Sequence, residues 1–403
     1  MKKYFKFAMY FIASALMSTS MVACSDDDED PVTPDEENNK GEDNDKEEDK
    51  VSEKEVAFQK ALIPYVDNTV IPTYRNMADH AIALSKACDA IFEAFENKTL
   101  TSDMVAKAGE EWKLSRKYWE QSEAFLFGAA GDYNIDPHID SWPLDKNAMD
   151  DLLADIRAGK DWNIDNNAGY GLLGFHALEY MLFELSEDGE KSLVHNTNYT
   201  KEELIYTCKV AEDLRNQCVR LEAAWAGMEE VTKEKQGFLT DAELEPTINY
   251  GESMKTAGKG GSLYKSYQDA AEEVLQGCMD ICDEVGALKI GKPANGSSEE
   301  DKNYIESPYS LNSIVDFQDN IISIKNSYRG SKEGDASLSD FIKSVNPTLD
   351  ADVIAKTDAA IAAIAKIKEP FAKHATEPEA DAAIAALDEL MGALELVTSE
   401  LSK

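Results

Sequence analysis

The spacing of apolar residues from residue 51 to the C-terminus restricts this chain to a helical fold. Between residues 204 and 225, for example, apolar side chains recur every three or four positions. This spacing places them on one face of an α-helix, and the alternation typical of strands is scarce. The pattern predicts long helices over 53–97, 103–127, 166–187, 199–229, 262–287, 310–330, 350–373 and 378–401.

Eight long helices are too many for a single four-helix bundle. We therefore predict an all-α fold of two four-helix-bundle-like domains, packed against each other with a cleft between them. The composition changes within residues 228–262, which places the boundary there. The N-terminal bundle is predicted over 53–230 and the C-terminal bundle over 231–403.

The first residues have the pattern of an export signal. Residues 1–23 begin with lysines, continue with an apolar run and end in Met21-Val22-Ala23 before Cys24. This end resembles the lipobox of bacterial lipoproteins, which predicts that Cys24 carries a lipid. Residues 24–52 are acidic and almost free of large apolar side chains, so we predict a disordered tether.

The location of the mature protein follows from this anchor. The acidic run after Cys24 resembles the surface-export tag of some Gram-negative lipoproteins, while the alternative interpretation is a solvated linker. We predict an outer-membrane lipoprotein that is exposed at the cell surface or otherwise faces the periplasm. No later run approaches the ~20 apolar residues of a membrane span, so the lipid is the predicted membrane contact. The formal net charge of −38 excludes nucleic acid as a partner, because phosphates would be repelled.

Two carboxylate-containing pairs at helical spacing are the candidate chemistry. His176 and Glu179 lie three positions apart in an apolar run, and Glu120 and Glu123 have the same spacing. Positions three apart share a helical face, and two such helices facing each other often bind a metal in bundles. Oxygen and nitrogen ligands suit a divalent or ferric ion, such as iron or zinc. The alternative is a hydrogen-bonded core pair with no ligand.

A third polar stretch precedes and enters the predicted helix over 310–330. Ser313, Asp316 and Asn320 share a face, which indicates that they line the cleft. Arg116 and Arg329 are predicted to line it as well and are candidates to stabilise an oxyanion. The alternatives are capping residues at the helix ends and ordinary salt bridges.

These stretches together resemble the imelysin-like family. Gly174-x-His176-x-x-Glu179 has the form of its GxHxxE motif, and the stretches around Trp119–Gly128, Ile139–Pro143 and Glu306–Gly330 follow in the family's order. The resemblance implies two helical domains with a pocket between them, an envelope location and a link to iron uptake. It also implies a nominal metallopeptidase. The four residues Glu120, Glu123, His176 and Glu179 further resemble the metal positions of Efe-type iron-uptake lipoproteins.

Three functional hypotheses remain open from the sequence. The first is an envelope lipoprotein that binds iron, or an iron-containing ligand, in the cleft and works with an iron-uptake transporter. The second is a metallopeptidase with His176 and Glu179 as catalytic candidates beside Glu120 and Glu123. It lacks the HExxH zinc pattern. The third is a non-catalytic interaction protein in which the motif is structural.

Overall fold

The computed structural model of the chain describes residues 52–160, 164, 169–186, 192–194 and 197–403. The predicted signal peptide, the lipid on Cys24 and the acidic tether lie outside the described residues and stay predictions. The region Val51–Lys403 forms one compact unit. Within the described part of the chain, no helix is both long and apolar enough to span a bilayer.

The all-α class is confirmed, because helices account for most of the described chain. The long helices are α1 (Glu53–Tyr65), α2 (Ile71–Glu96), α3 (Ser102–Glu120), α6 (Lys146–Arg157), α8 (Lys201–Ala226), α11 (Tyr267–Asp283), α14 (Ser313–Arg329), α16 (Pro347–Ile364) and α18 (Pro378–Leu401).

Shorter elements connect the long helices. The short α-helices are α4 (Ala129–Asp132), α5 (Ile135–Ile139), α7 (Gly174–Leu182), α9 (Lys233–Asp241), α10 (Tyr250–Lys255), α12 (Gly291–Asn295), α13 (Glu299–Lys302), α15 (Leu338–Val345) and α17 (Phe371–His374). The described chain also has two 3-10 turns (Glu123–Phe125 and Tyr170–Leu172) and two π-helical segments, π1 (Val66–Val70) and π2 (Glu284–Ile290). Two strands, β1 (Phe183–Leu185) and β2 (Ser192–Val194), form an antiparallel pair.

Two helical layers meet at the centre of the molecule. In the N-terminal half, α2 packs against both α3 and α8, and in the C-terminal half α11, α14, α16 and α18 pack together. Helix α1 nevertheless packs on α11 and α15, and α3 packs on α14. The division at residue 230 stays a prediction. The α3–α14 contact is the feature of the fold that positions the site.

The sequence explains why α8 forms and which face it buries. Thr200 accepts a hydrogen bond from the Glu203 backbone while the Glu203 side chain accepts one from Thr200, a capping box that fixes the start of the helix. Leu204, Leu214 and Leu221 are fully buried, as the predicted stripe requires. The apolar face therefore decides how this helix packs.

The predicted helix over 166–187 is wrong at both ends. The helix is limited to α7, because Leu173 before it and Phe183 after it have extended backbones. Phe183 instead pairs with Val194 in the strand pair. The apolar run was continuous, and such a run does not distinguish a helix from a short strand.

Helices α6, α9 and α10 lie outside the predicted long helices. Each starts at a side chain that accepts a hydrogen bond from the first turn, namely Asp145, Thr232 and Asn249. These caps supply a start signal, but helices of 6 to 12 residues show too few turns for a clear apolar period.

Candidate metal centre

The centre of the site is Arg116, a fully buried guanidinium on α3. Its Nη2 lies 2.5 Å from Glu120 and 2.6 Å from Glu306, and its Nε lies 3.7 Å from Asp316. Its Nη1 pairs with Asp140. A buried charge is tolerated only when it is paired, and this arginine has four carboxylates around it.

A second buried cation enters the same group from π2. The Lys289 Nζ lies 3.0 Å from Glu306, 3.8 Å from Glu120, 3.8 Å from Glu284 and 3.9 Å from Glu123. The Lys289 side chain is only 6 % exposed. Two cations therefore share the carboxylates of Glu120 and Glu306.

Gly174 explains how His176 reaches this group. Its φ of +70° favours glycine, and a Cβ added there would lie 1.9 Å from the carbonyl oxygen of Ile139. Only glycine allows α7 to start against this backbone. As a result, His176 Nε2 lies 3.0 Å from Asp140 Oδ1, the residue that follows Ile139.

Asp140 is held in place by its neighbours. The indole Nε1 of Trp119 donates to Asp140 Oδ2 over 2.7 Å, while Oδ1 faces Arg116 and His176. The ring of Trp142 lies 4.7 Å from that of His176 and closes this side of the site. Asp140 thus joins the α3 residues to the α7 residues.

Glu179 binds the loop that leads into α14. Its Oε1 accepts hydrogen bonds from the backbone N–H groups of Tyr309 and Ser310, over 3.0 and 2.7 Å, and from the Ser310 hydroxyl over 2.7 Å. Its Oε2 lies 3.6 Å from His176 Nδ1. The two residues of the motif therefore have different surroundings.

Helix α14 and the loop before it supply the remaining polar groups. Asp316 accepts hydrogen bonds from Ser307 and Asn312, each over 2.5 Å. Asn320 donates to Glu120 Oε2 over 2.6 Å, and the Ser313 hydroxyl donates to the backbone carbonyl of Glu306.

We call the residues that meet here the central cluster. It contains six carboxylates and two permanent cations, namely Glu120, Glu123, Asp140, Glu179, Glu306 and Asp316 with Arg116 and Lys289.

Burial and charge shift the pKa values within the central cluster. Burial raises the pKa of Glu120 and Glu123 well above the ordinary range and that of Asp316 to about 7. Asp140 is the exception: burial opposes ionisation, but Arg116 and then His176 hold its pKa well below the usual value. Burial lowers the pKa of His176, yet the carboxylates of Asp140 and Glu179 raise it overall. The raised pKa values reflect burial first, and the lowered pKa of Asp140 reflects its position beside Arg116 and His176.

Several buried polar atoms of this group lack a hydrogen-bond partner in the described chain. Oε2 of Glu306 and Oδ1 of Asn320 are examples, whereas the two ring nitrogens of His176 face Asp140 at 3.0 Å and Glu179 at 3.6 Å. Buried atoms without a partner are costly unless a ligand satisfies them. Because these examples are oxygen atoms, they suit a hard or borderline metal ion.

Two sets of ligand atoms lie close enough to hold an ion. Atoms of Asp140, His176 and Glu306 lie within 4.8 Å of one another, and so do atoms of Glu120, Glu123 and Asp140. Asp140 belongs to both sets. The donor types and the unpartnered atoms fit a cation here, although Arg116 and Lys289 occupy part of the same carboxylates.

Most of the predicted site residues therefore meet at one place. Glu120, Glu123 and His176 each belong to one of the two sets, whereas among the described residues the sets leave out Glu179. Their assignment as ligands stays a prediction. Among the predicted cleft residues, Arg329 lies apart. It is exposed at the end of α14 and lines a separate surface cavity of about 870 Å³.

Asp140, Glu306 and Lys289 were not among the predicted ligands or cleft residues. Asp140 and Glu306 lie in stretches that carried the family resemblance, so their position in those motifs was an available signal. Lys289 lies in a Gly- and Lys-containing segment that looks like a loop, and no local pattern indicates that it is buried.

The fold and site define a class of all-helical protein with a buried, carboxylate-rich centre where two helical layers meet. The imelysin family model, whose label also places the family among peptidases, matches residues 70–397. The chain belongs to the imelysin family.

Relatives of this chain share most of its length. Iron-regulated protein A of Synechococcus elongatus is 27 % identical over 326 residues, which cover 79 % of each chain. A solved structure from Parabacteroides distasonis, assigned as an iron-regulated protein A precursor, is 30 % identical with a TM-score of 0.72 and covers 88 % of this chain and 97 % of its own. An imelysin-like protein of Psychrobacter arcticum shares the fold, with a TM-score of 0.55 at 14 % identity over 87 % and 93 % of the two chains.

Proposed function

We propose that this protein binds an iron ion in the central cluster and serves iron uptake. The observation that carries the proposal is the charge imbalance, since the six carboxylates of the central cluster are accompanied by two permanent cations, Arg116 and Lys289. Buried carboxylates in such excess are unfavourable unless protons or a bound cation compensate them. The names of two relatives, which describe iron-regulated proteins, support iron as that cation.

The residues that would hold the ion follow from the two sets of ligand atoms. Asp140, His176 and Glu306 offer two oxygens and a nitrogen, and Glu120 and Glu123 extend the group on the α3 side. Glu179 lies next to His176 and fixes the Ser310 loop. In this assignment Glu179 positions the site and adds a second carboxylate beside His176.

A single ion fits better than a large iron-containing ligand. The side chains of Arg116, Glu120, Asp140, His176 and Glu306 are at most 8 % exposed. An organic chelate would have to separate α3 from α14, whereas an ion needs only a narrow path.

Metal titration of matched variants tests the proposal. Protein purified without a tag and stripped of metal is titrated calorimetrically with Fe²⁺ under anaerobic conditions and with Zn²⁺ as a redox-inert probe. We expect Asp140→Asn to weaken binding by about 100-fold or more, because it removes the ligand common to both sets. The control is Asp319→Asn, a buried acid on α14 outside both sets, which should bind as the wild type does.

Equal affinity of the wild type and Asp140→Asn, with both folded by circular dichroism, would reject the site. Binding lost in Asp319→Asn as well would indicate a general loss of structure rather than loss of a ligand. Elemental analysis of the purified protein provides an independent measure of which metal it carries.

Peptide hydrolysis, suggested by the family label, is the second function to test. Catalytic zinc needs protein ligands and an open position that a substrate carbonyl can reach. The burial of the central cluster favours ion binding over this chemistry, because a polypeptide has no direct access to side chains exposed by 8 % or less. Cleavage of unfolded casein that is sensitive to chelator and lost in His176→Ala would favour the peptidase instead.

The proposal extends to the location of the protein. A lipid on Cys24 would hold the body at the outer membrane, where it would pass iron to an uptake transporter. Metabolic labelling with a radioactive fatty acid tests the anchor. The label should be absent from Cys24→Ser, and an unlabelled wild-type chain would reject the lipoprotein assignment.

A further inference from the structure

Lys289 occupies a position that an incoming ion would need. Its ammonium lies within 4 Å of four carboxylates, and three of them, Glu120, Glu123 and Glu306, belong to the two sets of ligand atoms. Lysine is almost never buried to this degree without such partners. The ammonium therefore acts as a counter-ion to the same oxygens that would hold a metal.

An ion and the Lys289 ammonium cannot share these oxygens at no cost. Like charges about 4 Å apart repel each other strongly where water is excluded. Oε2 of Glu306 has no hydrogen-bond partner in the described chain and points to a ligand, while Oε1 of the same carboxylate lies 3.0 Å from the Lys289 Nζ. Atoms of Glu306, His176 and Asp140 form one of the two sets of ligand atoms. Binding at these atoms thus competes with the lysine.

Arg116 does not have this role. Its guanidinium pairs with four carboxylates and lies 5.3 Å from the Phe175 ring, and these contacts hold its plane in place. Arginine forms rigid, planar contacts, whereas lysine has a flexible stem and a compact charge. Of these two buried cations, Lys289 is the one that can move.

The surroundings of Lys289 provide a place to which it can move. Its fourth partner, Glu284, is 45 % exposed and lines a surface cavity of about 320 Å³. Glu123 lines the same cavity, and Glu273 and Asp280 add further acidic groups. This acidic cavity gives cations a favourable approach, and Glu123 links it to the buried carboxylates. Lys289 lies on π2, a geometry often found at functional sites.

We infer that Lys289 is a built-in competitor of the metal ion: it offsets part of the carboxylate charge before an ion binds and moves toward Glu284 when the ion enters through the acidic cavity. This inference rests on the proposed function. It predicts that the lysine limits the affinity of the site and so allows a bound ion to be released.

Affinity measurements on charge variants test this role. We expect Lys289→Met to bind Zn²⁺ and Fe²⁺ about tenfold more tightly or better, because no ammonium has to be displaced. Lys289→Arg should bind more weakly than Lys289→Met, since it keeps the charge. The matched control is Lys292→Met. It removes the positive charge of a lysine that makes a cation–π contact with Tyr304, and it should leave the affinity unchanged.

A labelling experiment on the wild type covers the case in which Lys289→Met does not fold. Lysines are acetylated with and without saturating Zn²⁺, and the modified peptides are quantified by mass spectrometry. Acetylation of Lys289 should increase several-fold with the ion present, because its amine then faces the acidic cavity. Lys292 provides the internal reference.

The outcomes separate this inference from the proposed function. If the wild type binds the ion and Lys289→Met binds it equally or more weakly, the inference is overturned and the metal site is left intact. The same holds if the wild type binds the ion and the acetylation of Lys289 does not rise. Folded wild type and Lys289→Met that both fail to bind either ion reject the metal site itself.

Discussion

Two groups of charged side chains in this molecule differ in their balance: one is built around the buried pair Lys235 and Glu222, and the other is the central cluster. Where α9 meets α2 and α8, Lys235 of α9 lies 2.5 Å from Glu222 of α8 and 2.6 Å from Asp79 of α2. Arg75 approaches Glu222 at 3.2 Å, which makes two cations and two carboxylates. The central cluster, by contrast, has six carboxylates for its two cations.

The difference indicates what each group does. The buried pair Lys235 and Glu222, which we call the balanced pair, needs no partner beyond Asp79 and Arg75 and can hold α9 against α2 and α8. Burial raises the pKa of Glu120 and Glu123, and neighbouring carboxylates add to that rise. The penalty for their charge falls when a cation binds. Burial of charge alone is thus weak evidence for a site, and imbalance is the stronger sign.

The largest effect on stability is expected at the balanced pair. Lys235→Met leaves Glu222 with only the half-exposed Arg75 and should lower the free energy of unfolding by about 3 kcal/mol. Urea denaturation measures this change, and the exposed Lys233→Met on the same helix is the control. The variant should bind metal with unchanged affinity, so a weaker affinity would break the distinction between the two groups.

Metal itself should stabilise the protein by a comparable amount. At about 100 times its dissociation constant, Zn²⁺ should raise the free energy of unfolding by about 2.7 kcal/mol through linkage. Thermal denaturation should show the same gain in Lys235→Met and at most about 0.4 kcal/mol in Asp140→Asn, because the ion concentration is then no higher than the variant's dissociation constant. Stabilisation of Asp140→Asn to the wild-type extent would place the ion outside the central cluster.

A matched pair of isosteric changes compares the two groups directly. Glu222→Gln removes a charge from the balanced pair and should lower the free energy of unfolding by about 2 kcal/mol at pH 7. Glu123→Gln removes one of the excess charges, so stability should stay constant or rise by about 1 kcal/mol, while metal affinity falls about tenfold. Equal destabilisation by both changes, measured in urea, would contradict the argument from imbalance.

The sequence predicts the helices better than it predicts the site. Apolar period and caps were sufficient for α8, because its stripe faces a core that all long helices share. His176 and Glu120 were found because their spacing places polar groups on apolar faces. Lys289 could not be found in this way, since its burial depends on carboxylates 17, 166 and 169 positions away in Glu306, Glu123 and Glu120. Only the tertiary fold reveals the charge balance.

The smallest expected effect concerns Asp319, a buried acid that is outside both sets of ligand atoms. Burial raises its pKa from 3.8 to about 6, although the amide of Gln121 donates to it over 2.7 Å. The folded protein therefore holds this proton more tightly than the unfolded chain. The resulting stabilisation is fully present below pH 3.8 and is lost as the pH rises through about 6.

Asp319→Asn removes this titration. As the pH rises from 5 to 8, the free energy of unfolding of the variant should increase by about 1 kcal/mol relative to that of the wild type. This range lies above the sequence pI of 4.4. Urea denaturation in buffers of constant ionic strength measures the difference. If the wild type instead becomes more stable relative to the variant as the pH rises, Asp319 is stabilised as a carboxylate. That result is expected if the charge of Lys117 outweighs the effect of burial. In that case, unfavourable buried negative charge would be confined to the central cluster, and the contrast between this cluster and the rest of the core would be sharper.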